Sequence, residues 1–278
     1  KLIAKYNADK LKVDFTITRN ELDLKKVKEQ FAFIFKNNKT PYDLKTILNK
    51  TFSYSKPIKD ILNWKIDNSQ ELQLKNVGSF DLTFYYLKQN NSLKSDFPYP
   101  LKSISASERK SVLNKFGGVK IYRDSFRVRP YGDPTNDWLK LGARRAISPA
   151  GVGQRIGDWR VGSESTAGII TISRKKNPLL VDKSDRGSLQ ENDSFELFKR
   201  VIIGVIHQFE FDRTKIFNPF YKYFKKEKEA GKEAEIQRRA EKLASEIIEK
   251  RKEVDEKVYG KKKNAVNLFQ QEQEKEEK

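Results

Sequence analysis

The residues of this sequence best placed to do chemistry are the cations Lys183 and Arg186, in the run Asn177-Pro178-Leu179-Leu180-Val181-Asp182-Lys183-Ser184-Asp185-Arg186-Gly187. A guanidinium fixed beside a proline turn can be aimed at phosphate oxygens and held there by paired, charge-assisted hydrogen bonds. The plainer reading of the same run is a surface turn carrying two solvated cations. What separates the two is whether the loop is held, and the flanking sequence predicts that it is. Upstream, residues 167–173 alternate as a half-buried strand; downstream, Phe195, Phe198, Val201, Ile202, Val205, Ile206 and Phe209 recur at helical spacing. Asp193 followed by Glu196 is a capping-box pattern that marks where this helix starts.

A second group of cations lies earlier. Residues 119–129 read as a hairpin turning at Asp124-Ser125, with Val119 and Ile121 on one arm and Phe126 and Val128 on the other. Arg123, Arg127 and Arg129 then project beside one another, and such neighbours require an anionic partner or an internal carboxylate from Asp124, Asp133 or Asp137. Residues 132–162 form a long stretch punctuated by glycine and proline, holding Arg144, Arg145, Trp138 and Trp159. Two readings are open for it: arginine and tryptophan stacking on nucleic acid, or a loop pinned to its own domain by tryptophan. The expected nucleic-acid contacts are Arg123, Arg127, Arg129, Arg144 and Arg145.

The segment 177–189 resembles the middle-domain loop of the ninety-kilodalton heat-shock chaperones, where a leucine-rich turn ends in Ser-Arg-Glu before a helix. Residues 118–134, Gly-Val-Lys-Ile-Tyr-Arg-Asp-Ser-Phe-Arg-Val-Arg-Pro-Tyr-Gly-Asp-Pro, resemble the strand that precedes that loop, and more closely a group of bacterial ATP-binding proteins of the GHKL superfamily (gyrase, chaperone, histidine kinase, MutL). The match spans roughly residues 77–211. It implies a transducer domain, of the ribosomal-protein-like second-domain type, which supplies a Lys or Arg to the γ-phosphate of ATP bound with magnesium in a separate N-terminal domain. The position that matches is Arg186, with Lys183 as the nearby substitute. Gly187 stands where the chaperone pattern has Glu, so any role of that acid is absent. The Asp-x-Gly-x-Gly segment and glycine-rich lid of GHKL nucleotide sites are absent too, so the chain is expected not to hold ATP by itself.

Composition narrows the chemistry. There is no cysteine and one histidine, which excludes disulfides, thiolate metal sites and His-rich metal clusters. His207 reads as a partly buried residue of a packed helix. Lys and Arg number 57 against 38 Asp and Glu, a formal charge of +19 over 278 residues, which attracts polyanions and says nothing about fold. The surplus belongs mostly to the segment before Tyr221, since the tail is close to balanced. No apolar run approaches the roughly 20 residues needed to span a bilayer, and nothing resembles a signal peptide; the expected compartment is the cytoplasm. The start at Lys1 and the lack of methionine lead to the expectation of an excised piece.

The elements needed to position these residues follow from pattern. Residues 11–18 alternate as a strand, and Phe80, Leu82, Phe84 and Tyr86 share one side of another. A helix capped by Ser105 or Ser107 runs to Lys115 and stops at Phe116-Gly117-Gly118. Trp64 is the expected buried anchor of the mixed stretch 52–74. Residues 217–221, Phe-Asn-Pro-Phe-Tyr, are expected to break the long helix. Beyond them Ile236, Ala240, Leu243, Ile247 and Val254 form a short seam interrupted by Gly231 and Gly260, with Lys250 and Lys257 near seam positions. The expected architecture is α+β: a small α/β segment over 1–75, a transducer-like mixed sheet with packed helices over 76–220, and a helical or coiled-coil arm over 221–278. Its expected partners are the separate ATP-binding domain, DNA or RNA, and a weak homodimer through the arm. A structural dimerisation arm and a nucleic-acid module without nucleotide role are the rival functions.

Overall fold

The computed structural model describes residues 1–65, 67–88, 98–103, 105–148, 151–183 and 188–276, with side chains through 264. Two units are present, Lys1–Phe224 and Lys225–Lys278. In chain order the elements are β1 Leu2–Asn7, β2 Lys12–Thr18, α1 Leu24–Gln30, α2 Ala32–Phe35, α3 Leu44–Leu48, β3 Thr51–Pro57, α4 Ile58–Leu62 and α5 Asn68–Val77. There follow β4 Phe80–Tyr86, α6 Ala106–Phe116, β5 Gly118–Arg123, β6 Phe126–Val128, α7 Leu141–Ala146, β7 Thr166–Ile172 and α8 Asp193–Glu276.

The seven strands form one mixed sheet in the order β3-β2-β1-β4-β7-β5-β6. Every pair is antiparallel except β5 and β7, which run parallel from Gly118↔Ala167 to Arg123↔Ile172. A parallel neighbour demands a crossover. Here it is the stretch between β6 and β7, which contains α7 and both tryptophans of the arginine-rich loop.

Period-two alternation gives the sheet its inner face: Leu2, Ala4 and Tyr6 of β1, Phe80, Leu82 and Phe84 of β4, and Ile170 and Ile172 of β7 are all buried. Against it lies the apolar stripe of α8, Phe195, Phe198, Val201, Ile202, Val205, Ile206 and Phe209, the set that the helical spacing predicts. Burying each such side chain stabilises by about 1.5–3 kcal/mol, so this contact dominates the fold. A second cluster, Leu22, Val27, Phe35 and Ile47 with Ile216, Phe217 and Phe220 of α8, binds α1–α3 to the same helix.

The boundary expected at 75/76 does not appear. β1 is hydrogen-bonded on one side to β2 and on the other to β4, from Leu2↔Phe84 to Tyr6↔Phe80, so both segments build one sheet and one core. The helix start also shifts by one residue: the Asn192 side chain accepts from the Phe195 N–H at 2.9 Å, which makes Asn192 the cap and Asp193 the first helical residue. Trp64 is half-buried at the margin of the core, where Arg200 stacks on its ring at 4.0 Å.

The expected break at 217–221 is overturned, because α8 passes through Pro219. Phe217 and Phe220 are fully buried on either side of it, and the Asn218 side chain donates to the Gly153 carbonyl at 2.7 Å, so tertiary packing outweighs the missing N–H. Gly231 and Gly260 likewise lie inside α8 rather than interrupting it, since one glycine costs only about 1 kcal/mol in a helix of Lys, Glu and Ala. In the second unit Ile236, Leu243, Ile247 and Val254 of the expected seam are exposed, and ion pairs such as Glu235–Arg239 at 2.5 Å run along the helix. No helix among the described residues is long and apolar enough to cross a membrane.

Because Pro219 cannot give the Lys215 carbonyl its helical donor, Pro219→Ala should raise stability by about 1 kcal/mol or more. Urea unfolding measures it; a lower midpoint would mean that the proline ring itself holds the second cluster together.

Candidate functional site

The loop between β7 and α8 is held at its base by a set of buried contacts. Asn177, almost fully buried, donates from its amide to the carbonyls of Val77 at 2.9 Å and Ser79 at 3.2 Å, and accepts from the Ser173 N–H at 3.0 Å. It thereby fastens the loop to the turn between α5 and β4. Leu180 is buried next to it, and further on the two sides of the loop pair with each other. Gln190 N–H donates to the Val181 carbonyl at 2.8 Å, Asp182 and Leu189 form an antiparallel bridge, and Lys183 N–H donates to the Ser188 carbonyl at 2.7 Å. Tyr131 receives the Leu189 N–H on its hydroxyl at 3.1 Å, tying the second side to the β5–β6 region.

The hairpin of β5 and β6 supplies the remaining anchor. Its turn lies at Asp124-Ser125 as expected, with φ of 48° and 73°, the doubly left-handed geometry that matches strand twist in a tight hairpin. Arg123, at the end of β5, is 5% exposed. Its guanidinium donates to the Asp182 carboxylate at 2.6 Å and to the Leu180 carbonyl. Asp182 also takes Arg174 at 3.2 Å, and the Asp124 carboxylate accepts from the Arg174 N–H at 3.2 Å. The hairpin turn, the end of β7 and the loop base thus form one connected polar network. Above this base Lys183 is exposed, as are Arg174, Lys175 and Lys176. Arg186 lies, with Ser184, Asp185 and Gly187, outside the described residues.

The arginines expected at a nucleic-acid surface divide. Arg127 is paired with Asp133, one of the three carboxylates named by the sequence, and Arg123 with Asp182, which was not among them. Arg144 donates twice to Glu210, at 3.0 and 3.3 Å. Glu210 is wholly buried and also accepts from the Val161 N–H at 3.0 Å, with Arg160 3.7 Å and His207 Nδ1 3.3 Å from it. Arg129 is exposed and Arg145 half-buried. Both loop tryptophans face inward: Trp138 donates to the Val119 carbonyl at 2.8 Å and stacks near Phe195, while Trp159 is buried against Tyr86 and Arg213. The loop is pinned to its own domain.

The sequence reading missed Asn177, Asp182 and Glu210 as positioning residues. A signal for the last was present, since Glu210, Asp212 and Arg213 interrupt the apolar stripe of a core helix, and charges there must be paired. Among the described residues no group of three or more His, Asp or Glu could hold a metal ion.

Comparison of the chain with protein-family models, with curated proteins and with solved structures yields no match.

Removing Arg123 would leave the buried Leu180 carbonyl without its donor and Asp182 with only the exposed Arg174, so Arg123→Ala should cost about 2–3 kcal/mol. Arg129→Ala, at an exposed position, should change stability by less than about 0.5 kcal/mol. Equal, small losses in denaturant unfolding would show that Arg123 is free to serve an external anion instead.

Proposed function

We propose that this chain is the coupling, transducer-type module of a GHKL ATPase: it delivers Arg186 to the γ-phosphate of ATP held with magnesium by a separate nucleotide-binding domain. The observation that supports the reading is the anchored loop base, in which Arg123, Asn177 and the Asp182–Leu189 bridge hold the two ends of the run that resembles the chaperone pattern. A cation is useful against a phosphate only if its support is ordered before the reaction, because positioning and electrostatic stabilisation are most of the catalysis in phosphoryl transfer.

The charge around the loop base suits a phosphate presented from outside. Exposed Lys183, Arg174, Lys175 and Lys176 stand along the loop and give it a positive field, with Asp182 already committed to Arg123 and Arg174. When bound, ATP supplies the phosphoryl group and its charge, which magnesium in the other domain shares. The residues of this chain anchor both sides of the base from which Arg186 is offered and link that base to α8, which begins at Asp193. Closure is relayed along that helix to partners. The rival nucleic-acid reading loses support because Arg123, Arg127 and Arg144 already hold internal carboxylates.

In a protein containing both domains, Arg186→Ala should lower kcat by about a thousandfold or more with ATP affinity little changed. Arg186→Lys should recover only part of the rate, since an ammonium lacks the planar fork, and Lys183→Ala should matter less. Steady-state turnover and nucleotide titration check this. Loss of turnover in Lys183→Ala with Arg186→Ala intact would reassign the cation; full turnover in both, or magnesium-dependent hydrolysis by this chain alone, would overturn the reading.

A further inference from the structure

A cleft of about 400 Å³ opens at the end of β4, walled by α6 on one side and by Asn20 and Glu21 on the other. It lies apart from the loop between β7 and α8. Tyr85, Val112 and Phe116, which are 42%, 39% and 61% exposed, all line it. α6 buries no side chain fully, so its apolar residues are not there for the core.

The charges of the cleft are unbalanced. Lys88 and Arg109 line it, and neither has a carboxylate partner among the described residues. The one acid in the wall, Glu21, is taken on both oxygens by Arg213, at 2.6 and 2.8 Å. Arg213 lines a smaller chamber that shares Glu21, Asn20 and Tyr86 with the cleft, and its side chain is 3% exposed. Its Nη1 and the Nε of Arg109 are buried donors with no hydrogen-bond partner among the described residues. A buried, unmet guanidinium donor is costly, and native structures supply such groups with a partner. Burial, and after it the charge of Arg213, pulls the Lys88 ammonium below the ordinary lysine range, with Glu21 pulling the other way.

Apolar side chains left in solvent and cations left without counter-charge, in a cavity of ligand size, describe one kind of occupant. A lone inorganic anion is too small and would leave Tyr85 and Phe116 bare. We propose that the cleft binds a small organic oxyanion, its flat apolar body against Tyr85, Val112 and Phe116 and its carboxylate or phosphate on Arg109 and Lys88. Arg109 lies in the first turn of α6 and can offer paired donors to either group.

The test is titration calorimetry of the full chain with 1-naphthyl phosphate and with 1-naphthoate, whose relative affinities separate phosphate from carboxylate recognition. One of them should bind at one site with a Kd on the order of 100 µM or tighter. Inorganic phosphate and neutral 1-naphthalenemethanol should each bind at least about tenfold more weakly, and Arg109→Gln and Phe116→Ser should each weaken the preferred probe by at least about tenfold. Both substitutions lie on a helix outside the core, and thermal unfolding verifies that the fold persists; should either fail to fold, the other carries the test. Unchanged affinity in the folded variants, or inorganic phosphate binding as tightly as the aromatic probe, would overturn the proposal.

Discussion

Three charged side chains on one turn of α8 must be buried, and most of the domain is arranged to satisfy them. Glu210, Asp212 and Arg213 follow the apolar stripe, and each is at most 4% exposed. An unpaired charge in such a place would cost several kcal/mol, so each recruits a counter-charge from a distant part of the chain. Glu210 takes Arg144 and Arg160 from the crossover loop; Asp212 takes Arg19 from the end of β2, at 2.7 and 3.2 Å; Arg213 takes Glu21 just beyond it. Aromatic rings close over the two guanidiniums, Phe52 and Tyr42 on Arg19, Trp159, Tyr86 and Phe217 on Arg213. Hydrophobic burial gives α8 its affinity for the sheet, while these pairs choose its register.

The same helix links the two polar networks. At its start Asn192 caps the first turn and also donates to the Leu179 carbonyl at 3.1 Å, so loop and helix share a fastening. Two turns on, Phe198 packs edge-to-face on Phe80 of β4. A displacement of the loop therefore has to be taken up either by the Arg123–Asp182 contact or by α8, because Asn177 holds the other end to the α5–β4 turn.

Elements with a regular period were legible in the sequence, and elements set by distant partners were not. β2, β4, β7, the hairpin turn at Asp124-Ser125 and the stripe of α8 follow from alternation, turn chemistry and helical spacing, which are local. The helix at Ser105 was legible too, because its side chain is the cap. Pro219 misled because its local rule is sound and is overridden by Phe217, Asn218 and Phe220, whose partners lie in α1–α3 and the crossover loop. The split at 75/76 misled because strand order is not written in strand pattern: nothing in residues 2–7 says that β4 will be their neighbour. At the candidate site the loop was legible from the strand and the helix that flank it, whereas the partner of Arg123 was not, since Asp182 is 59 residues away.

The place of β1 in the sheet has a consequence for any shortened form of the chain. It is an interior strand, with β2 and β3 on one side and β4 onward on the other. Losing the first few residues would not trim a free margin; it would excise a central strand and leave two hydrogen-bonding edges where there were none. Phe15 and Ile17 on one edge and Leu82 and Phe84 on the other would then face solvent beside unpaired backbone, the arrangement that templates edge-to-edge aggregation. The amino-terminal seven residues act as the seam that keeps the two halves of the sheet from sticking to other molecules.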